Sequence, residues 1–176
     1  MTLSAVYVAD TGHVVGALSL TGADAPADVA ALVGGALPVR VSLGGGRTVT
    51  LSLPARRLAV LAADDEPGVL ADPLAHGVDR PAEGAPRPAL LRLASWSEGV
   101  SLAGDGLTVT LPLAVNRAAP VVALISDGQD TRLLAGEIPE GAAGVTLPVT
   151  LPPGSEHGVL VLVTGWAGRL LRTAVR

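Results

Sequence analysis

Val41-Ser42-Leu43-Gly44-Gly45-Gly46-Arg47-Thr48-Val49-Thr50-Leu51-Ser52-Leu53 alternates apolar and small polar residues on both sides of a triple-glycine turn. Alternation is the period of an extended strand, whose successive side chains point to opposite faces. The stretch predicts a β-hairpin in which Val49, Leu51 and Leu53 face a core while Thr48, Thr50 and Ser52 face away. The pattern returns as Val100-Ser101-Leu102, an Ala103-Gly104-Asp105-Gly106 turn, Leu107, then Thr108-Val109-Thr110-Leu111-Pro112-Leu113. At an offset of 60, nine of the sixteen positions from Gly44 to Ala59 are identical in Gly104 to Ala119. A fainter echo, Val145-Thr146-Leu147-Pro148-Val149-Thr150-Leu151, places Thr146 and Thr150 on an outer face. We read the series as duplicated hairpin modules.

Short apolar runs separated by Gly, Pro and Asp continue in both directions and predict an all-β, β-sandwich-like protein. Segments 3–9 and 13–20 flank a turn at Asp10-Thr11-Gly12, and 57–62 and 68–71 flank Asp64-Asp65-Glu66-Pro67. Segments 121–126 and 131–135 flank Asp127-Gly128-Gln129-Asp130, and 159–164 and 169–175 flank Gly165-Trp166-Ala167-Gly168. Each pair reads as a hairpin. One short peripheral helix is expected near 26–33, with Asp24 as N-cap, Pro26 in the first turn and Gly34-Gly35 past its end. The proline-rich stretch 76–88 is expected to be a linker or loop between a first β module, 1–75, and a second, 89–176, packed on the first.

Composition narrows the functional classes. Hydrophobic residues make up 49% of the chain, enough for a packed core. Charged residues make up only 16%, against roughly 25% in an average soluble domain, so part of the outer surface must be neutral. With a net charge of −4 and only Tyr7, Trp96 and Trp166 as aromatics, the chain lacks the basic excess and stacking rings of a nucleic-acid binder. The longest run without Asp, Glu or Arg, 141–155, contains three prolines and is too short for a membrane span. The opening residues carry no basic region and an acid at Asp10, so no secretory signal is expected and the cytoplasm is the expected compartment. All twelve basic residues are arginine, a bias that fits a GC-rich bacterial genome.

The charges fall in blocks. Residues 29–63 hold Arg40, Arg47, Arg56 and Arg57 with no acid, while 64–79 hold Asp64, Asp65, Glu66, Asp72 and Asp79 with no base. Such blocks are ordinary solvated faces or pair across a subunit interface and set its register.

No catalytic, cofactor-binding or metal-ligating residue is assigned, and the chain is not expected to be an enzyme. His13, His76 and His157 each adjoin a glycine and read as exposed turn residues without zinc-motif spacing. Ser155 and His157 superficially resemble a nucleophile loop, but the Gly-x-Ser-x-Gly elbow is absent. The acids of 64–66 and Asp127 and Asp130 lack the spacing of a calcium loop and read as turn residues. The remaining signal is three strands with outer faces of Thr, Ser and Pro. It points to a non-catalytic structural or adaptor component of a larger bacterial protein assembly, with protein partners or self-association through Thr48, Thr50, Thr108, Thr110, Thr146 and Thr150. The alternative is a ligand-binding β module for carbohydrate or protein.

Overall fold

The structure, a computed structural model, describes residues 2–22, 28–63, 66–79 and 89–176. In chain order the first half contributes β1 (Thr2–Val8), β2 (Val14–Leu20), α1 (Val29–Val33), β3 (Ala36–Ser42), β4 (Thr48–Pro54), β5 (Leu58–Ala63), α2 (Pro67–Ala71), β6 (His76–Val78) and β7 (Leu90–Arg92). The second half contributes β8 (Val100–Ala103), β9 (Gly106–Thr110), β10 (Ala119–Ser126), β11 (Thr131–Ile138), β12 (Gly144–Pro148), β13 (Glu156–Val163) and β14 (Arg169–Ala174). The protein is all-β, built of antiparallel sheets with two short α-helices among the described residues. Among the described residues no helix is long and apolar enough to cross a membrane.

The chain divides into two compact units, each discontinuous in sequence. The first comprises 1–37, 53–95 and 165–167, and the second 38–52, 96–164 and 168–176. The expected 76–88 linker begins on strand β6, which pairs with β7, and its residues 80–88 lie outside the described residues.

In the first unit β1 is the middle strand of the sheet β2-β1-β5. Leu3, Ala5 and Val14 form its buried core with Val69 of α2, and Tyr7, Ala17, Ala63, Val78 and Leu90 pack against them. This corrects the hairpin expected at 57–71: β5 forms, but its partner is β1, and 67–71 is helical. Pro67 suits a helix start, and Val69 gains burial by turning into the core of β1 and β2. Asp64 and Asp65 lie outside the described residues. The expected first helix forms as α1 with a different cap. Asp28 accepts a hydrogen bond from the Ala30 N–H at 3.1 Å, and Asp24 and Pro26 lie outside the described residues.

In the second unit the central sheet runs β11-β10-β13-β14. Val121 to Ser126 and His157 to Val163 are buried at every position. Near-continuous aliphatic runs belong in strands covered on both faces, which is where the sheet places them. Register shows what covers each face. Gly136 of β11 lies opposite Val121, and Val121 opposite Val163, so these three share a face. A Cβ at Gly136 would run into Leu147 of β12. Gly158, five residues before Val163 in β13, points the other way, and a Cβ there would meet Val41 and Val49. The sheet β12-β9-β8 thus covers one face, and the tip of the β3–β4 hairpin covers the other. The second unit is a layered, sandwich-like arrangement.

Both hairpins anticipated from the repeated text form, and Val49 and Val109 are both buried. Their turns differ. Gly45 and Gly46 adopt φ of +69° and +76° between β3 and β4, whereas Gly104-Asp105 joins β8 to β9 without a left-handed residue.

Candidate functional site

The outer face of β12-β9-β8 is set by the same register that builds the core. Leu102, Leu107, Val109 and Leu147 point inward and are buried. The alternate positions point outward. Thr146 lies opposite Thr108, and Thr108 opposite Ser101, so the three form one row across the sheet. The Thr108 and Thr146 hydroxyl oxygens are hydrogen-bonded at 3.0 Å. Thr110 lies opposite Gly144, and Pro148 opposite Gly106, whose small size admits the Thr146 methyl. Thr110, Thr146, Pro148 and Ser101 are exposed and Thr108 is half-buried. No strand position on this face carries a charge.

Thr48, Thr50 and Ser52 are exposed on the outside of β4. They belong to the layer on the opposite side of the central sheet, so the six threonines singled out from sequence form two surfaces. The Thr50 carbonyl accepts from the Thr131 hydroxyl at 3.4 Å. Thr150, just beyond β12, is exposed, and its carbonyl accepts from the Arg132 guanidinium at 2.7 Å. Main-chain bonds at Thr50 and Thr150 leave their side chains outward.

The histidines depart from expectation: all three are buried. Nε2–H of His13 donates to the Trp166 carbonyl at 2.7 Å, which leaves Nδ1 to accept from the Thr11 hydroxyl at 2.9 Å. Burial lowers its pKa from 6.5 to about 4, opposed by hydrogen bonds to the main chain of Trp166 and of Thr11. His76 donates from Nδ1 to the Asp72 carbonyl at 2.9 Å. Each ring reaches back to a group in or near a turn, a contact that no local pattern announces. The neighbouring glycines serve packing: Gly77 admits Leu93, and Gly158 admits Val41 and Val49.

His157 Nε2 lies 2.8 Å from Ser155 Oγ, closer than their near-adjacency in sequence suggested. The polarity is wrong for nucleophile activation. Ser155 Oγ donates to the Pro152 carbonyl at 2.5 Å, so the hydroxyl oxygen accepts from His157 Nε2–H. Nδ1 of His157 is buried and has no hydrogen-bond partner among the described residues. Burial lowers the His157 pKa, Asp127 opposes that shift, and Arg132 adds to it. The pair therefore closes a turn. Asp127 Oδ1 accepts from the Gln129 and Asp130 N–H groups at 2.8 and 3.1 Å, and these bonds lower its pKa. That is the geometry of a turn-forming aspartate.

One tie between distant segments was missed in sequence. Glu156 accepts from the Gly44 N–H at 3.1 Å and lies 3.7 Å from Arg47 and 3.8 Å from Arg172, which ties the triple-glycine turn to β13. Trp96 is buried, with the Arg169 guanidinium 4.9 Å from its ring centroid, so it offers no open stacking surface. Among the described residues no three His, Cys, Asp or Glu side chains cluster to hold a metal ion. No family model, curated protein or solved structure matches the chain.

Proposed function

We propose that the protein is a non-catalytic structural or adaptor component of a larger bacterial protein assembly in the cytoplasm, acting through uncharged β surfaces. The observation that carries this reading is the outer face of β12-β9-β8, where Ser101, Thr108, Thr110, Thr146 and Pro148 present a charge-free surface on a rigid sheet. Small hydroxyl side chains lose little entropy when covered, and no buried charge has to be compensated. A sheet face of this kind suits contact with another sheet or a flat protein surface.

Its test is a pair of double variants. Thr110→Arg with Thr146→Arg places two charges on the β12-β9-β8 face, and Thr48→Arg with Thr50→Arg does the same on β4. All four side chains are exposed, so stability should change by less than about 0.5 kcal/mol at Thr48, Thr50 and Thr110, and by about 1 kcal/mol at Thr146, which gives up its hydrogen bond to Thr108. Affinity-tagged protein recovered from its native cells should lose its co-purifying proteins with the first pair. Loss only with the second pair would move the contact to β4. Retention in both, or a parent that purifies alone yet binds a glycan array, would replace the assembly reading with a ligand-binding module.

A further inference from the structure

Asp72 joins the end of α2 to a 3₁₀ turn, Pro73–Ala75, that leads into β6. Its main chain is fully engaged. The Asp72 N–H donates to the Gly68 carbonyl at 3.0 Å, and the Asp72 carbonyl oxygen accepts two bonds, from the Ala75 N–H at 3.3 Å and from His76 Nδ1–H at 2.9 Å. The carboxylate is different. Asp72 holds the N-cap position of the 3₁₀ turn, where an aspartate usually accepts from the N–H groups that follow it, yet its side chain makes no capping bond and the residue is exposed. The donors to its carbonyl are fixed in place: His76 is buried, β6 pairs with β7, and the Leu93 N–H donates to the Ala75 carbonyl at 2.8 Å.

The bond that follows this carbonyl is Asp72–Pro73, the one Asp-Pro pair in the chain. Proline makes the amide tertiary, and its nitrogen, more basic than that of an ordinary peptide, takes up a proton and departs more readily. An aspartate side chain can reach its own carbonyl carbon by closing a five-membered ring, an attack that gains the rate advantage of holding both reactants in one molecule. Rotation about χ1 brings the carboxylate to that carbon, and an exposed side chain without a capping bond is free to make it. The negative charge then develops on the Asp72 carbonyl oxygen, where two donors already stand.

We infer that the chain cleaves itself at the Asp72–Pro73 bond, with the Asp72 carboxylate as nucleophile and His76 Nδ1–H and the Ala75 N–H as oxyanion donors. A carboxylate oxygen bonds to the Asp72 main-chain carbon, the C–N bond to Pro73 breaks, and the proline nitrogen leaves with a proton from water. The cyclic anhydride formed on Asp72 takes up one water and opens to two carboxylates, that of the side chain and a new C-terminal one. The products, 1–72 and 73–176, remain joined in the folded protein: His13 bridges to Gly77, and the Val78 N–H donates to the Gly12 carbonyl at 2.8 Å. The inference stands apart from the assembly reading, and the threonine variants above leave this bond untouched.

The test is incubation of the full chain at neutral and mildly acidic pH, read by denaturing electrophoresis and intact mass. Two fragments should accumulate whose masses sum to that of the parent plus one water, the larger beginning at Pro73. The folded chain should cleave about 100-fold faster than the same chain unfolded in urea, because unfolding removes both donors. Asp72→Ala should abolish cleavage and keep the fold, and His76→Leu should slow cleavage by about 100-fold with the circular dichroism spectrum unchanged. A chain that stays whole, a rate no higher folded than unfolded, or a folded His76→Leu variant that cleaves like the parent would overturn the proposal. Should His76→Leu lose its fold, the folded and unfolded parent still decide the matter, since that comparison needs no substitution.

Discussion

Replacing Gly99 by alanine should destabilise the second unit by about 4 kcal/mol or more, among the largest effects a single methyl can have. Gly99 sits at φ +93° beside the end of β9, and its carbonyl accepts the Thr110 N–H at 2.7 Å. A Cβ there would fall on the Thr110 carbonyl oxygen, which is main chain held in the sheet and cannot rotate aside. Relief requires β8 and β9 to part, which would also open the face that carries Thr108 and Thr110. Denaturant titration followed by Trp96 fluorescence should show an earlier transition for this variant. Gly45→Ala is the control: its φ is +69° but nothing lies within 4 Å of the added methyl, so it should cost only about 1 kcal/mol. Similar losses in the two variants would show that backbone angle, not the close approach, sets the requirement at Gly99.

The second large effect is a pH dependence centred on His13. Its ring is buried in the first unit, and its pKa is lowered from 6.5 to about 4. Between these values the unfolded chain binds a proton that the folded chain excludes, so stability rises with pH across the window. The contribution is complete above pH 6.5 and is lost progressively as pH falls toward 4, for a total of about 3 kcal/mol. His13→Gln should flatten the stability curve between pH 6.5 and pH 4 while lowering stability at neutral pH through the altered contacts with Thr11 and the Trp166 carbonyl. A parent curve equally flat over that range would mean that His13 titrates normally and that its burial costs nothing.

Strand content was legible because period-two alternation is a local property. β1 with β2, β10 with β11 and β13 with β14 could all be read from two apolar runs around a Gly- or Asp-bearing turn. The 57–71 pair failed for a reason equally local in appearance. The short apolar run after Pro67 fits a strand or a helical turn, and what decided it was the pocket between Leu3, Ala5 and Val14 that Val69 fills. Glycine beside histidine was ambiguous in the same way. At Gly77 and Gly158 the missing side chain makes room for Leu93 and Val49, and the histidine is carried inward with the strand.

By itself, then, the order of residues determined which side chains of each strand face inward, and with them the neutral outer faces at Thr48, Thr50, Thr108, Thr110 and Thr146. Side-chain direction in a strand follows from backbone geometry and needs no partner to specify it. Tertiary structure alone decided that these threonines lie on two surfaces, that Thr108 and Thr146 are neighbours, and that β5 pairs with β1. Strand order and layer order depend on contacts between residues far apart in the chain, such as Gly136 with Leu147 and Gly158 with Val41, and they depend on shape complementarity that no short window of sequence contains.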